Sequence, residues 1–152
     1  MLSAPSRDPR PGIAGLSPEA LATWLLDRGE AAFRARQIQD AIWRTDVRSA
    51  ADVPTLPAAL REAIDAAFRW DTIVDEDLVM ADGGATEKAL HRLSDGVAIE
   101  SVLMHYPPVP GRRERNTLCI SSQAGCAVGC PFCATGELGL ARDLDTAEIL
   151  DQ

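Results

Sequence analysis

No stretch of this chain approaches the roughly 20 consecutive apolar residues that a membrane-crossing helix needs. Its first residues carry Pro5, Pro9 and Pro11 among arginines, without the apolar core of a secretory signal. Both absences make the cytoplasm the expected location, where thiols stay reduced and structural disulfides are uncommon. Lysine is almost missing: Lys88 is the only one among 15 lysine and arginine residues. That preference suits planar phosphate contacts, but a GC-rich coding bias produces the same ratio, so it decides nothing alone. The net charge of −8 argues against a generally basic nucleic-acid binder. Local clusters survive that average, with Arg112, Arg113 and Arg115 before the cysteine segment and Arg34 and Arg36 at the start of an expected helix. Histidine is scarce as well. His91 and His105 have no partner at i+3 or i+4, and both read as structural.

What the chain does have is concentrated in one place. Three of its 4 cysteines fall in the run Cys126-Ala127-Val128-Gly129-Cys130-Pro131-Phe132-Cys133. Three thiolates at this spacing, with no His or Cys following, can hold a metal centre and leave one position open. Iron–sulfur clusters take thiolate ligands, usually four, so a cluster held by three keeps one iron free for a substrate. Gly125, Gly129, Pro131 and Gly136 suit a tight loop wrapped around such a group. A structural zinc site closes instead with four ligands. The one further thiol is Cys119, seven residues before Cys126 on an expected strand. Ligand count favours the cluster, and zinc stays open as the alternative.

At 152 residues and 46% hydrophobic, the chain supports one core or two small ones. Residues 1–15, rich in proline and glycine, read as a disordered leader. Residues 16–70 read as a small helical bundle. Ser17 is a natural N-cap before Pro18, Leu21, Trp24 and Leu25 share a face, and Gly29 ends the first helix. Ile38 and Ile42 with Trp43 mark a second helix, and Leu60, Ile64 and Phe68 a third; the tryptophans read as packing anchors. Residues 71–106 read as an antiparallel β meander, with strands Ile73 to Met80, Glu87 to Leu93 and Val97 to Met104. Asp82-Gly83-Gly84 and Ser94-Asp95-Gly96 are its turns. The proline-rich 107–111 reads as a stiff linker and domain boundary. From 112 to 152 a strand at Thr117 to Ser122, the cysteine loop and a helix from about Asp145 read as the first βα unit of a partial (β/α) barrel, with the cysteines at the strand's C-terminal end. The fold class expected is therefore α/β. One βα unit cannot bury its own sheet edge or close a barrel, so the chain is expected to be an incomplete, N-terminal portion of an enzyme.

The run Asn116-Thr117-Leu118-Cys119-Ile120-Ser121-Ser122-Gln123-Ala124-Gly125-Cys126, continued by Cys130-Pro131-Phe132-Cys133-Ala134-Thr135-Gly136, resembles the radical S-adenosylmethionine (SAM) methyltransferases that methylate C2 of adenosine in ribosomal RNA and tRNA. Phe33-Arg34-Ala35-Arg36-Gln37-Ile38 with Trp43 is similar to that family's helical accessory domain, which binds RNA, and Ile99-Glu100-Ser101-Val102-Leu103 to a later strand. The resemblance implies a 4Fe–4S cluster on Cys126, Cys130 and Cys133, with its fourth iron open to SAM. It implies radical chemistry, which an aromatic C2 carbon requires because it is not nucleophilic. It assigns Glu100 as the acceptor of the C2 proton, and Cys119 as the cysteine that forms a disulfide with a methyl-carrying cysteine further along the family's sequence. Without the resemblance, Glu100 reads as a solvated carboxylate and Cys119 as a small buried hydrophobe. The implied partners are ribosomal RNA, tRNA and an electron donor such as flavodoxin or ferredoxin, with a monomer and no membrane association. Two alternatives remain at this point: a C8-methylating relative, and a non-catalytic zinc or RNA-binding module.

Overall fold

The structure, a computed structural model, describes residues 8–44 and 47–152. The chain divides into two compact units, one formed by 9–72 with 146–151 and the other built on 73–145 with Gln152.

The first unit is helical. Helix α1, Pro18–Leu26, starts where expected: the Ser17 hydroxyl accepts from the Ala20 amide at 3.1 Å, and Pro18 occupies the first turn. Helix α2 runs Phe33–Arg44 and α3 Ala58–Ala67. Their apolar stripes close one core of Leu21, Leu25, Ile38, Leu60, Ile64 and Phe68, each at most 5% exposed. Trp24 meets Phe68 edge-on at 5.0 Å, and Trp70 donates to Asp65 at 2.7 Å. Trp43 is 62% exposed rather than part of this core.

The expected leader is ordered where it is described. Residues 1–7 lie outside the described residues, but Ile13 is 2% exposed in the helical core. The Ile13 amide donates to Arg69 at 2.8 Å, and the Arg69 amide to Pro11 at 2.9 Å. One large aliphatic side chain with a core to enter outweighs the surrounding prolines and glycines. Helix α5, Thr146–Leu150, packs on the turn at Ile13–Gly15 in this same unit. Its neighbour Asp151 accepts from the Thr72 amide at 2.9 Å and the Thr72 hydroxyl at 2.6 Å.

The second unit is an antiparallel sheet. Strands β1 (Ile73–Ala81), β2 (Thr86–Leu93) and β3 (Ala98–Tyr106) form the meander. Strand β4, Arg115–Cys119, does not open a separate βα unit. It pairs antiparallel with β3, from Tyr106 opposite Arg115 to Val102 opposite Cys119, giving the order β1-β2-β3-β4. The proline-rich segment is thus a hairpin connection, closed by reciprocal backbone bonds between Val109 and Arg112 of 3.2 and 2.9 Å. Prolines stiffen a turn as readily as a linker, and only the pairing of the flanking strands separates the two. The sheet is antiparallel throughout, so no parallel barrel strand is seen among the described residues.

Candidate active site

Beyond β4 the chain makes a second, two-stranded ribbon. Strand β5, Gln123–Gly125, pairs with β6, Leu140–Asp143, and the residues between them form a closed loop holding all three clustered cysteines. The neck is tight. The Cys126 amide donates to the Gly139 carbonyl at 3.0 Å, and a Cβ on Gly125, whose φ is +81°, would fall 1.9 Å from that carbonyl oxygen. No other residue fits there. The ribbon is moored to the meander by Arg142, whose Nε donates to Asp95 in the β2–β3 turn at 2.7 Å.

Inside the loop, Cys126, Cys130 and Cys133 are all half-buried and free. The short helix α4, Ala134–Glu137, follows Cys133 and packs against the backbone of Cys130. A Cβ on Gly136 would sit 2.9 Å from the Cys130 nitrogen. The backbone amides of Gly136 and then Thr135 donate to the Cys133 sulfur and pull its pKa below the ordinary thiol value of 9.0. The Val128 amide lies 3.5 Å from the Cys126 sulfur. Among the described residues no three His, Cys, Asp or Glu side chains surround a common point that could hold a metal. The three thiols share one loop without being gathered.

Glu100 is on β3, with its side chain 52% exposed and Oε1 held 2.6 Å from Lys88 Nζ. Directly opposed residues of antiparallel strands share a face. Leu90 lies opposite Glu100, Lys88 opposite Val102, and Cys119 opposite Val102, so Lys88, Glu100 and Cys119 stand on one face of the sheet. A cavity of about 430 Å3 is walled by Lys88, Leu90 and Glu100 on the sheet side and by Ala134, Thr135 and Leu138 on the cysteine-loop side. The structure therefore brings Glu100 and the cysteine loop to one cavity. It leaves Cys119 exposed on the same face but outside the cavity wall. Ser121 secures the turn from β4 into β5 by donating its hydroxyl to the Glu100 carbonyl at 2.8 Å.

Sequence reasoning missed Lys88. The signal was there in its being the only lysine, but its use depends on β2–β3 register. Arg34, in the segment that is similar to the accessory domain, is engaged within the helical unit. Its guanidinium donates to Gln37 at 2.9 Å and to the Thr55 carbonyl at 3.0 Å, which ties α2 to the loop before α3. Arg36 is 86% exposed, with Asp40 3.8 Å away.

One further arrangement looks catalytic and is not. His91 Nε2 lies 2.7 Å from Ser101 Oγ, and its Nδ1 3.2 Å from Glu76 Oε2, echoing a serine–histidine–acid set. His91 is 2% and Ser101 5% exposed, so no substrate reaches the hydroxyl. The His91–Ser101 pair is a buried hydrogen bond joining β2 to β3, consistent with the structural reading of His91.

No protein-family model matches the chain. A solved radical SAM methyltransferase from Sphaerobacter thermophilus superposes with a TM-score of 0.80 at 37% identity, over 92% of this chain and 39% of that one. The fold is thus that of a segment of a radical SAM methyltransferase. Among curated proteins, the probable dual-specificity RNA methyltransferase RlmN of Thermobifida fusca is 45% identical over 150 residues, 98% of this chain and 40% of that protein. Its counterpart in Kineococcus radiotolerans is 42% identical over 153 residues, 100% of this chain and 38% of that one. Over nearly its whole length the chain is similar to part of the dual-specificity RNA methyltransferases, and it spans about two fifths of the length of the relatives it matches.

Proposed function

We propose that this chain supplies the metal-binding loop and the base-handling strands of a radical SAM enzyme that methylates C2 of adenosine in ribosomal RNA and tRNA. The observation that carries this reading is the shared cavity, with a strand-mounted glutamate on one wall and the segment following Cys133 on the other. The donor set suits a 4Fe–4S cluster. Three thiols lie on one glycine-necked loop, and one of them has its anionic form favoured by two backbone amides. Cys126, Cys130 and Cys133 would hold the group. Bound there, the cluster and SAM supply the radical chemistry that an unreactive aromatic carbon demands.

The chain's own residues would then do three things. Lys88 holds Glu100 Oε1 and leaves Oε2 to take the proton from adenosine C2. The sheet face and the cysteine loop together wall the cavity beside that carboxylate. Cys119, with its exposed thiol on the same face, is available to pair with a methyl-carrying cysteine.

The test joins this chain to the remaining portion of the Thermobifida fusca relative and supplies RNA, SAM and a flavodoxin or ferredoxin reductant. Mass spectrometry of the digested RNA should detect 2-methyladenosine. Glu100→Gln and Cys119→Ala should each stop product while release of 5′-deoxyadenosine continues. Methylation at C8, or full turnover in Glu100→Gln, would contradict the reading.

A further inference from the structure

The hairpin between β3 and β4 borders an open cavity of about 490 Å3, lined by Tyr106, Pro107, Val109, Arg112, Arg113 and Arg115. Its size lies in the roughly 300–1,000 Å3 range of small-ligand pockets, and its make-up is unlike the rest of this acidic molecule. Three arginines line it in a chain of net charge −8. The Arg115 guanidinium stacks on the Tyr106 ring, 4.6 Å from its centroid, so a cationic plane and an aromatic plane already lie together. Arg112 is held in place by the paired backbone bonds to Val109. The one acid in the run, Glu114, acts electrostatically on His105, which lies one residue over from Tyr106 and therefore on the opposite face of β3.

Register connects this cavity to the other one. Tyr106 and Glu100 are an even number of residues apart on β3, and Arg115 and Cys119 likewise on β4, so all four stand on one face of the sheet. At about 3.4 Å per residue, Tyr106 lies about 20 Å along the strand from Glu100. A sheet face with arginines at one end and the cavity beside Glu100 at the other suits an extended polynucleotide strand.

We propose that this cleft is an RNA-docking surface: Arg112 and Arg113 contact phosphates of a single-stranded segment, and the Tyr106–Arg115 stack receives an unpaired base flanking the adenosine presented to Glu100. This rests on the RNA methyltransferase reading and adds to it a place of contact.

Fluorescence anisotropy of the 152-residue chain with a labelled RNA stem–loop, titrated between 50 and 200 mM salt, tests it. Losing one single-strand phosphate contact should lower the slope of log K against log salt by about 0.7, and hence affinity about fivefold at 0.1 M salt. Arg112→Gln and Arg113→Gln should each do so. Arg92→Gln, an equal change of charge elsewhere in the sheet, should not. Tyr106→Leu should weaken binding where Tyr106→Phe keeps it. The proposal is overturned if the chain binds no RNA at the lowest salt, or if the Arg112 and Arg113 variants match Arg92→Gln. It is equally overturned if heparin competes as well as RNA and Tyr106→Leu has no effect, which would mean a general anion patch. None of these outcomes touches the cluster or methylation tests, so the two readings fail separately.

Discussion

At the scale of single residues, the site depends on a few atoms with little freedom. Gly125 is the sharpest case, since its positive φ and its approach to Gly139 both forbid a side chain. Gly125→Ala should open the loop neck, and hydrogen exchange at the Cys126 amide should accelerate; unchanged protection there would mean the neck is not held as described. In the proposed reaction Lys88 acts as a positioning residue for Glu100. As a partly exposed pair it adds little stability, about 0–1 kcal/mol. Lys88→Ala should therefore leave the melting temperature nearly unchanged while lowering turnover in the chimera, and Lys88→Arg should recover part of it. These residues differ in how visible they were. The cysteines were legible from spacing, and Glu100 through family resemblance. The Lys88 contact and the commitment of Arg34 to Thr55 were not, because both join segments whose register or packing a linear sequence does not state.

At the scale of elements, the helices and the meander follow from local chemistry. The Ser17 cap, the stripes of α1 to α3 and the glycine turns each act over a few residues, so they could be read directly. Strand β4 could not, because its partner is fixed by a hairpin whose prolines look like a linker. The β3–β4 pairing also carries a pH dependence. His105 lies between Asn116, 3.0 Å away, and Glu87, 3.2 Å away, and the hydrogen bond to Asn116, then that to Glu87, raises its pKa above 6.5. The fold favours the protonated ring. Its contribution is complete below pH 6.5 and fades as pH rises through the raised value. Thermal melts across that interval should show stability falling with pH, and Asn116→Ala should flatten the fall; an unaltered profile would remove His105 as its source. Asp151 behaves in the opposite sense to a paired carboxylate. Burial raises its pKa above 3.8 despite the Thr72 bonds, so the stability it contributes is present at low pH and is lost as pH rises through the raised value.

At the scale of the whole molecule, the two units have separate sources of stability. The helical unit has a contiguous aliphatic core, whereas β1 is exposed along nearly all its length. Ile64→Ala should cost about 2–5 kcal/mol in the helical unit, read as a shift in its denaturant midpoint. The sheet unit instead presents Val128, Phe132 and Leu138, each at least 76% exposed, around its cysteine loop. The central claim is that this loop is a three-thiolate iron site. Metal and sulfide analysis of the anaerobically reconstituted chain tests that most directly. The expected result is about four irons per chain, as a 4Fe–4S centre requires, lost in Cys126→Ala, Cys130→Ala and Cys133→Ala and kept in Cys119→Ala. One zinc per chain without iron, or loss of the metal on removing Cys119, would show a closed four-thiolate site and contradict it.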